Sequence, residues 1–121
     1  MKIDPPRPLT AKERAILDLV LSPDFAGAAE LRHQSTSAVV VGRCGCGCPS
    51  VDLRTEDSAP IARPGSRLVP SELEVLPSGD EPPGQVILFT DGGRLSYLEY
   101  VWFNEPSTEW PELSRVRVVG P

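Results

Sequence analysis

The feature that most constrains this 121-residue chain is Asp91-Gly92-Gly93, set between two apolar runs: Gln85-Val86-Ile87-Leu88-Phe89-Thr90 before it and residues 94–103 after it. Glycine reaches positive φ without steric cost, so a two-residue turn flanked by strand-like runs predicts a β-hairpin and antiparallel pairing. Toward its end the run Leu95-Ser96-Tyr97-Leu98-Glu99-Tyr100-Val101-Trp102-Phe103 is apolar on both faces. A strand of that kind belongs in the middle of a sheet, covered on both sides. β-branched stretches at 38–44, 51–55 and 116–119 supply further strands.

The N-terminal third follows a different period. Thr10-Ala11-Lys12-Glu13 has the form of a capping box, in which hydroxyl and carboxylate each satisfy the other residue's backbone N–H. Ile16, Leu17, Val20 and Leu21 then recur at helical spacing, predicting a helix over 11–21. Ser22-Pro23-Asp24 has the order of N-cap, first-turn proline and first-turn acid, and predicts a second helix running to about residue 33. The expected fold is α+β: two N-terminal helices on one face of an antiparallel sheet of four to six strands.

The length suits a single domain spanning 1–121. Residues 1–9 read as an extended arm. Residues 56–84 hold six prolines and read as a long loop, with Leu73-Glu74-Val75-Leu76 as a short edge strand inside it. No apolar run reaches the length of a membrane span and the N-terminus has no signal-peptide core, so a cytoplasmic protein is expected. Charge is uneven. Residues 72–112 carry nine acids against Arg94 alone, within a net charge of −5. Nucleic acid and anionic membrane are disfavoured as partners, because both are bound through Lys and Arg.

Every cysteine lies in Cys44-Gly45-Cys46-Gly47-Cys48. If that stretch were extended, all three sulfurs would share a face. Three thiolates and the single histidine, His33, make up a Cys3His set for zinc, with Asp52 as an alternative fourth ligand. Alternating Cys-x-Cys-x-Cys spacing argues against it, since structural zinc sites use Cys-x2–4-Cys knuckles that converge where a flat strand spreads. The favoured expectation is therefore packing: small cysteines and glycines form a low-relief surface under a neighbouring element, and no cofactor is required. An odd thiol count in a chain without a leader disfavours disulfides. A thiol-dependent enzyme or redox sensor would need an exposed sulfur near His33, Arg43 or Arg54. The sequence holds no Gly-x-Ser-x-Gly elbow, phosphate loop or spaced carboxylate pair, so nothing marks an enzyme.

Tyr97 to Trp110 contains both tryptophans and both tyrosines. Trp110 follows Pro106 and lies between Glu109 and Pro111, giving Glu105, Glu109, Trp110 and Glu112 as a candidate binding patch, with a lid folded back on the core as the competing and at least equal expectation for Trp110. Aromatic anchors rimmed by acid suit a basic protein partner. The leading expectation is accordingly a small acidic binding or inhibitory module, of the kind represented by immunity proteins, with Trp110 and its acids exposed on one face. Thiolate metal binding is the alternative, and thiol chemistry the third.

Two stretches, Gly42-Arg43-Cys44-Gly45-Cys46-Gly47-Cys48-Pro49-Ser50-Val51-Asp52-Leu53 and Leu95 to Phe103, resemble a group of small uncharacterised proteins from high-GC bacteria. The resemblance implies a bacterial, cytoplasmic, single-domain protein and carries over no activity and no catalytic residue.

Overall fold

The computed structural model describes residues 1–63, 67–102 and 108–120. Its elements in chain order are β1 (Lys2–Pro8), α1 (Ala11–Val20), α2 (Ala28–Ser35), β2 (Val39–Arg43), β3 (Val51–Arg54), β4 (Leu68–Val75), β5 (Gly84–Asp91), β6 (Arg94–Trp102), a 3-10 turn at Leu113–Arg115, and β7 (Val116–Val119). The strands form one antiparallel sheet in the order β1-β2-β3-β6-β5-β4-β7. The fold is α+β, as expected, but with seven strands among the described residues rather than four to six.

The β5–β6 hairpin turns on Gly92 and Gly93, at φ 58° and 80°, as its sequence predicts. β6 is central, between β3 and β5. Only one of its faces is covered: Leu95, Leu98 and Tyr100 are buried, whereas Tyr97, Glu99 and Val101 on the other side are half-buried. The same alternation runs through β4 and β5, whose inward Leu73, Val75, Val86 and Leu88 are fully buried. Onto that face α1 lowers Ile16, Leu17 and Val20 and α2 lowers Leu31, joining one continuous core. A fully buried side chain of this size contributes roughly 1.5–3 kcal/mol, so these residues dominate the stability of the helix–sheet layer.

Prolines hid two strands. The extended segment at residues 1–9 holds a strand: β1 pairs with β2, with a register shift between Lys2 and Arg7 that accommodates Pro5 and Pro6 at the sheet edge. Most of the described residues of 56–84 lie outside any strand, but the strand within the stretch is longer than four residues and is not at the sheet edge. It is the eight-residue β4, which is paired on both sides, with Leu73 opposite Val86 and also opposite Val118. Pro70 falls in the register shift between Leu68 and Glu72, where a missing N–H costs no ladder bond.

The capping box at α1 is present in both directions: Glu13 N–H donates to Thr10 Oγ1 and Thr10 N–H to Glu13 Oε1. The second helix starts later than expected. Ser22-Pro23-Asp24 is a turn gripped by Arg32, whose guanidinium donates to the carbonyls of Leu21, Ser22 and Pro23 and to Asp24. α2 begins only after Gly27, at φ 91°. No helix among the described residues is long and apolar enough to cross a membrane.

Candidate metal centre

The Cys44-Gly45-Cys46-Gly47-Cys48 stretch is a bend rather than a strand, and of its cysteines only Cys48 packs. β2 ends at Arg43 and β3 begins at Val51, and the chain between them curls as a hairpin loop. The Cys44 N–H donates to the Ser50 carbonyl at its base, and Gly47 takes φ 92°, which an L side chain rarely adopts. This curl brings the Sγ atoms of Cys44, Cys46 and Cys48 within 4.8 Å of one another. Thiolates on one ion at about 2.3 Å sit roughly 3.8 Å apart, so the three are close enough to bind a metal. All three are free thiols.

Backbone amides reinforce the arrangement. The Cys46 N–H points at Cys44 Sγ and the Cys48 N–H at Cys46 Sγ, each at 3.4 Å. An amide N–H directed at sulfur fixes where its remaining lone pairs point. Burial grades along the loop: Cys46 is exposed, Cys44 half-buried, and Cys48 6% exposed. The packing expectation holds for Cys48 alone.

The other residues paired with the cysteines in the sequence are placed elsewhere. His33 is exposed on the last turn of α2 and is not among the converging ligand atoms. The Asp52 carboxylate lies over Gly42, where an added Cβ would come within 2.4 Å of Oδ2, and it too is outside the group. Among the described residues the donor set is three sulfurs and nothing more. Cys-x-Cys-x-Cys spacing converges here because the glycines let the chain turn, whereas the spacing argument assumed an extended backbone.

A neighbour of the loop that no motif in the chain points to is Tyr97, opposite Asp52 in the β3–β6 ladder. Burial pushes its phenol above the ordinary value; the hydrogen bond with Ser50 opposes this, and the negative character of Cys48, Glu99 and Cys44 adds to it.

The aromatic–acid patch is also rearranged. Trp110 is 8% exposed and stacks on Tyr100, ring centroids 6.1 Å apart and 14° from parallel. It is a lid on the core and not the exposed anchor expected of a binding patch. Its indole N–H leans toward Glu13 without closing a hydrogen bond of normal geometry. Glu109 and Glu112 are exposed, Glu112 pairing with Lys12 at 3.0 Å; Glu105 lies outside the described residues. One connection was not expected. Cys48, Arg43, Glu109, Trp110 and Glu112 share the wall of one groove of about 490 Å³, so the cysteine loop and the acidic segment are neighbours in space.

Comparison of the chain with protein-family models, curated proteins and solved structures gives no match.

Proposed function

We propose that this protein is a metal-binding module that holds one soft cation through Cys44, Cys46 and Cys48. The observation that carries the reading is the convergence of three sulfurs from a five-residue stretch, with two of them already accepting backbone N–H groups. Thiolates select soft and borderline ions, zinc and Cu(I) foremost, over Mg²⁺ or Ca²⁺. A loop built only to pack would scatter its sulfurs against different neighbours. The acidic-partner reading has less support, because its aromatic anchor is buried.

Native mass spectrometry on reduced, full-length protein titrated with Zn(II) and with Cu(I) tests this, followed by thiol labelling before and after denaturation. One ion per chain is expected, with all three thiols protected in the loaded native protein and labelled once it is denatured in the presence of a chelator. Losing a group that only supports a metal ligand typically weakens a site about 10–100-fold, so loss of a ligating sulfur in Cys44→Ser or Cys48→Ser should weaken it at least as much. A metal-free mass under both titrations, with three thiols reacting freely in the native protein, would overturn the proposal.

A further inference from the structure

The metal-binding reading leaves open what the ion is for, and the layout of the site bears on that. Structural metal sites draw ligands from segments that the metal must hold together. Here every sulfur comes from one hairpin loop whose two strands are already paired by the sheet, Val39 opposite Arg54 and Arg43 opposite Val51. An ion bound there ties nothing to anything else. It is cargo.

Two further features narrow its chemistry. Three sulfurs converge and no His, Asp or Glu ligand atom among the described residues joins them. Zinc prefers four ligands and would have to recruit one from solvent. Cu(I), a soft monovalent ion, is satisfied by two or three thiolates. The sulfurs are also unequally accessible, with Cys46 exposed and Cys48 6% exposed. A donor entering from solvent therefore meets the ion on the Cys46 side, while Cys48 holds it from the core side.

We propose, resting on the metal-binding reading, that the loop is a transfer site for Cu(I), released by exchange with a thiolate of an acceptor that enters beside Cys46. The acceptor's sulfur forms a bond to copper as the bond to Cys46 Sγ breaks. Copper stays monovalent throughout and no electrons move. The proton lost by the incoming thiol is taken up by the departing Cys46 thiolate, and the same exchange at Cys44 and then Cys48, each departing thiolate taking the proton of the thiol that replaces it, frees the ion. The acceptor is thus a thiol donor: a small-molecule thiol or a cysteine-bearing copper protein.

The test uses the reduced full-length chain loaded anaerobically with Cu(I), in competition with a chromogenic Cu(I) chelator, and in parallel with Zn(II). One Cu(I) per chain is expected, held at least about 100-fold more tightly than Zn(II), as softness of the ligand set dictates. X-ray absorption should count three sulfur neighbours without nitrogen. On mixing with glutathione, the transfer rate should rise in proportion to thiol concentration. Cys46→Ser should still hold one Cu(I) through Cys44 and Cys48 yet transfer it about tenfold more slowly, a barrier rise of about 1.4 kcal/mol. A transfer rate independent of glutathione concentration, or unaltered in Cys46→Ser, overturns the exchange step. Tighter binding of Zn(II) than Cu(I) overturns the copper assignment while the metal-binding reading stands. Failure to bind either ion removes both.

Discussion

Gln34 is fully buried and spends its whole amide on the backbone of other segments. Its Nε2 donates to the carbonyls of Pro60 and Gly93, both at 2.8 Å, and its Oε1 accepts from the Leu95 N–H at 2.9 Å. One side chain thereby joins α2, the 59–62 segment and the start of β6. Gln34→Leu keeps the volume and leaves the buried Leu95 N–H without its acceptor, while the Gly93 carbonyl keeps the Ala62 N–H, so unfolding in denaturant should show a loss on the order of 2 kcal/mol. Gln34→Glu should be worse at pH 7, because a carboxylate would face two carbonyl oxygens in a desolvated site. Glu13 behaves in the opposite way. Burial pushes its carboxyl up, but the hydrogen bonds from Arg7 and Thr10 and the guanidinium charge outweigh that and leave it below its ordinary value. A depressed native pKa contributes stability that is present above the unfolded value of about 4.3 and lost as pH falls through the native one. Glu13→Gln should therefore cost about 1–3 kcal/mol at pH 7, and the gap from the parent protein should close as both are unfolded at progressively lower pH. A gap of constant size from pH 7 to pH 3 would mean that the Arg7 pair contributes nothing through charge.

At the scale of elements the hairpin separates two uses of glycine. Gly92 and Gly93 both have positive φ, but a Cβ on Gly92 would meet open space, whereas one on Gly93 would lie 2.3 Å from Ile61 Cγ2 and 2.5 Å from the Ala62 carbonyl. Gly92→Ala should cost only the conformational penalty, about 1–2 kcal/mol. Gly93→Ala should cost clearly more, since the Ala62 backbone must give way as well; equal losses in thermal melts would show that the 59–62 segment is not docked on the turn. The same hairpin shows which elements were legible. Where local chemistry and tertiary role agree, as in Asp91-Gly92-Gly93 or the Thr10–Glu13 box, the residues predict the element. Where tertiary contacts override local preference, they do not. Pro5, Pro6 and Pro70 suggest loop, yet edge placement and register shifts fit them into β1 and β4. Ser22-Pro23-Asp24 carries every mark of a helix start, yet Arg32, eight residues beyond Asp24, holds those carbonyls in a turn. The cysteines were found by composition alone, but their convergence depends on a positive φ at Gly47 that spacing does not encode.

At the scale of the molecule, the core and the candidate site are separate undertakings. The core cluster joins α1, α2 and inward residues of the sheet and includes none of Cys44, Cys46 and Cys48. Replacing all three by serine should leave a folded protein, with a loss of about 1 kcal/mol or more concentrated at the buried Cys48. The effect of metal on stability follows from the same separation. A ligand stabilises a protein only to the extent that it binds the native state better than the unfolded one. Five consecutive residues supply every donor, and those donors remain within reach of one another when the sheet melts, so the unfolded chain keeps much of the affinity. A Cu(I)-loaded sample should then melt within a few degrees of the metal-free protein, even at saturation, in contrast to zinc fingers that unfold when their metal is removed. Calorimetric melts of the loaded and chelator-treated full-length chain measure this directly. A rise of more than about 10 °C, several kcal/mol for a domain of this size, would mean that a donor from a distant segment completes the site and that the ion holds the fold together.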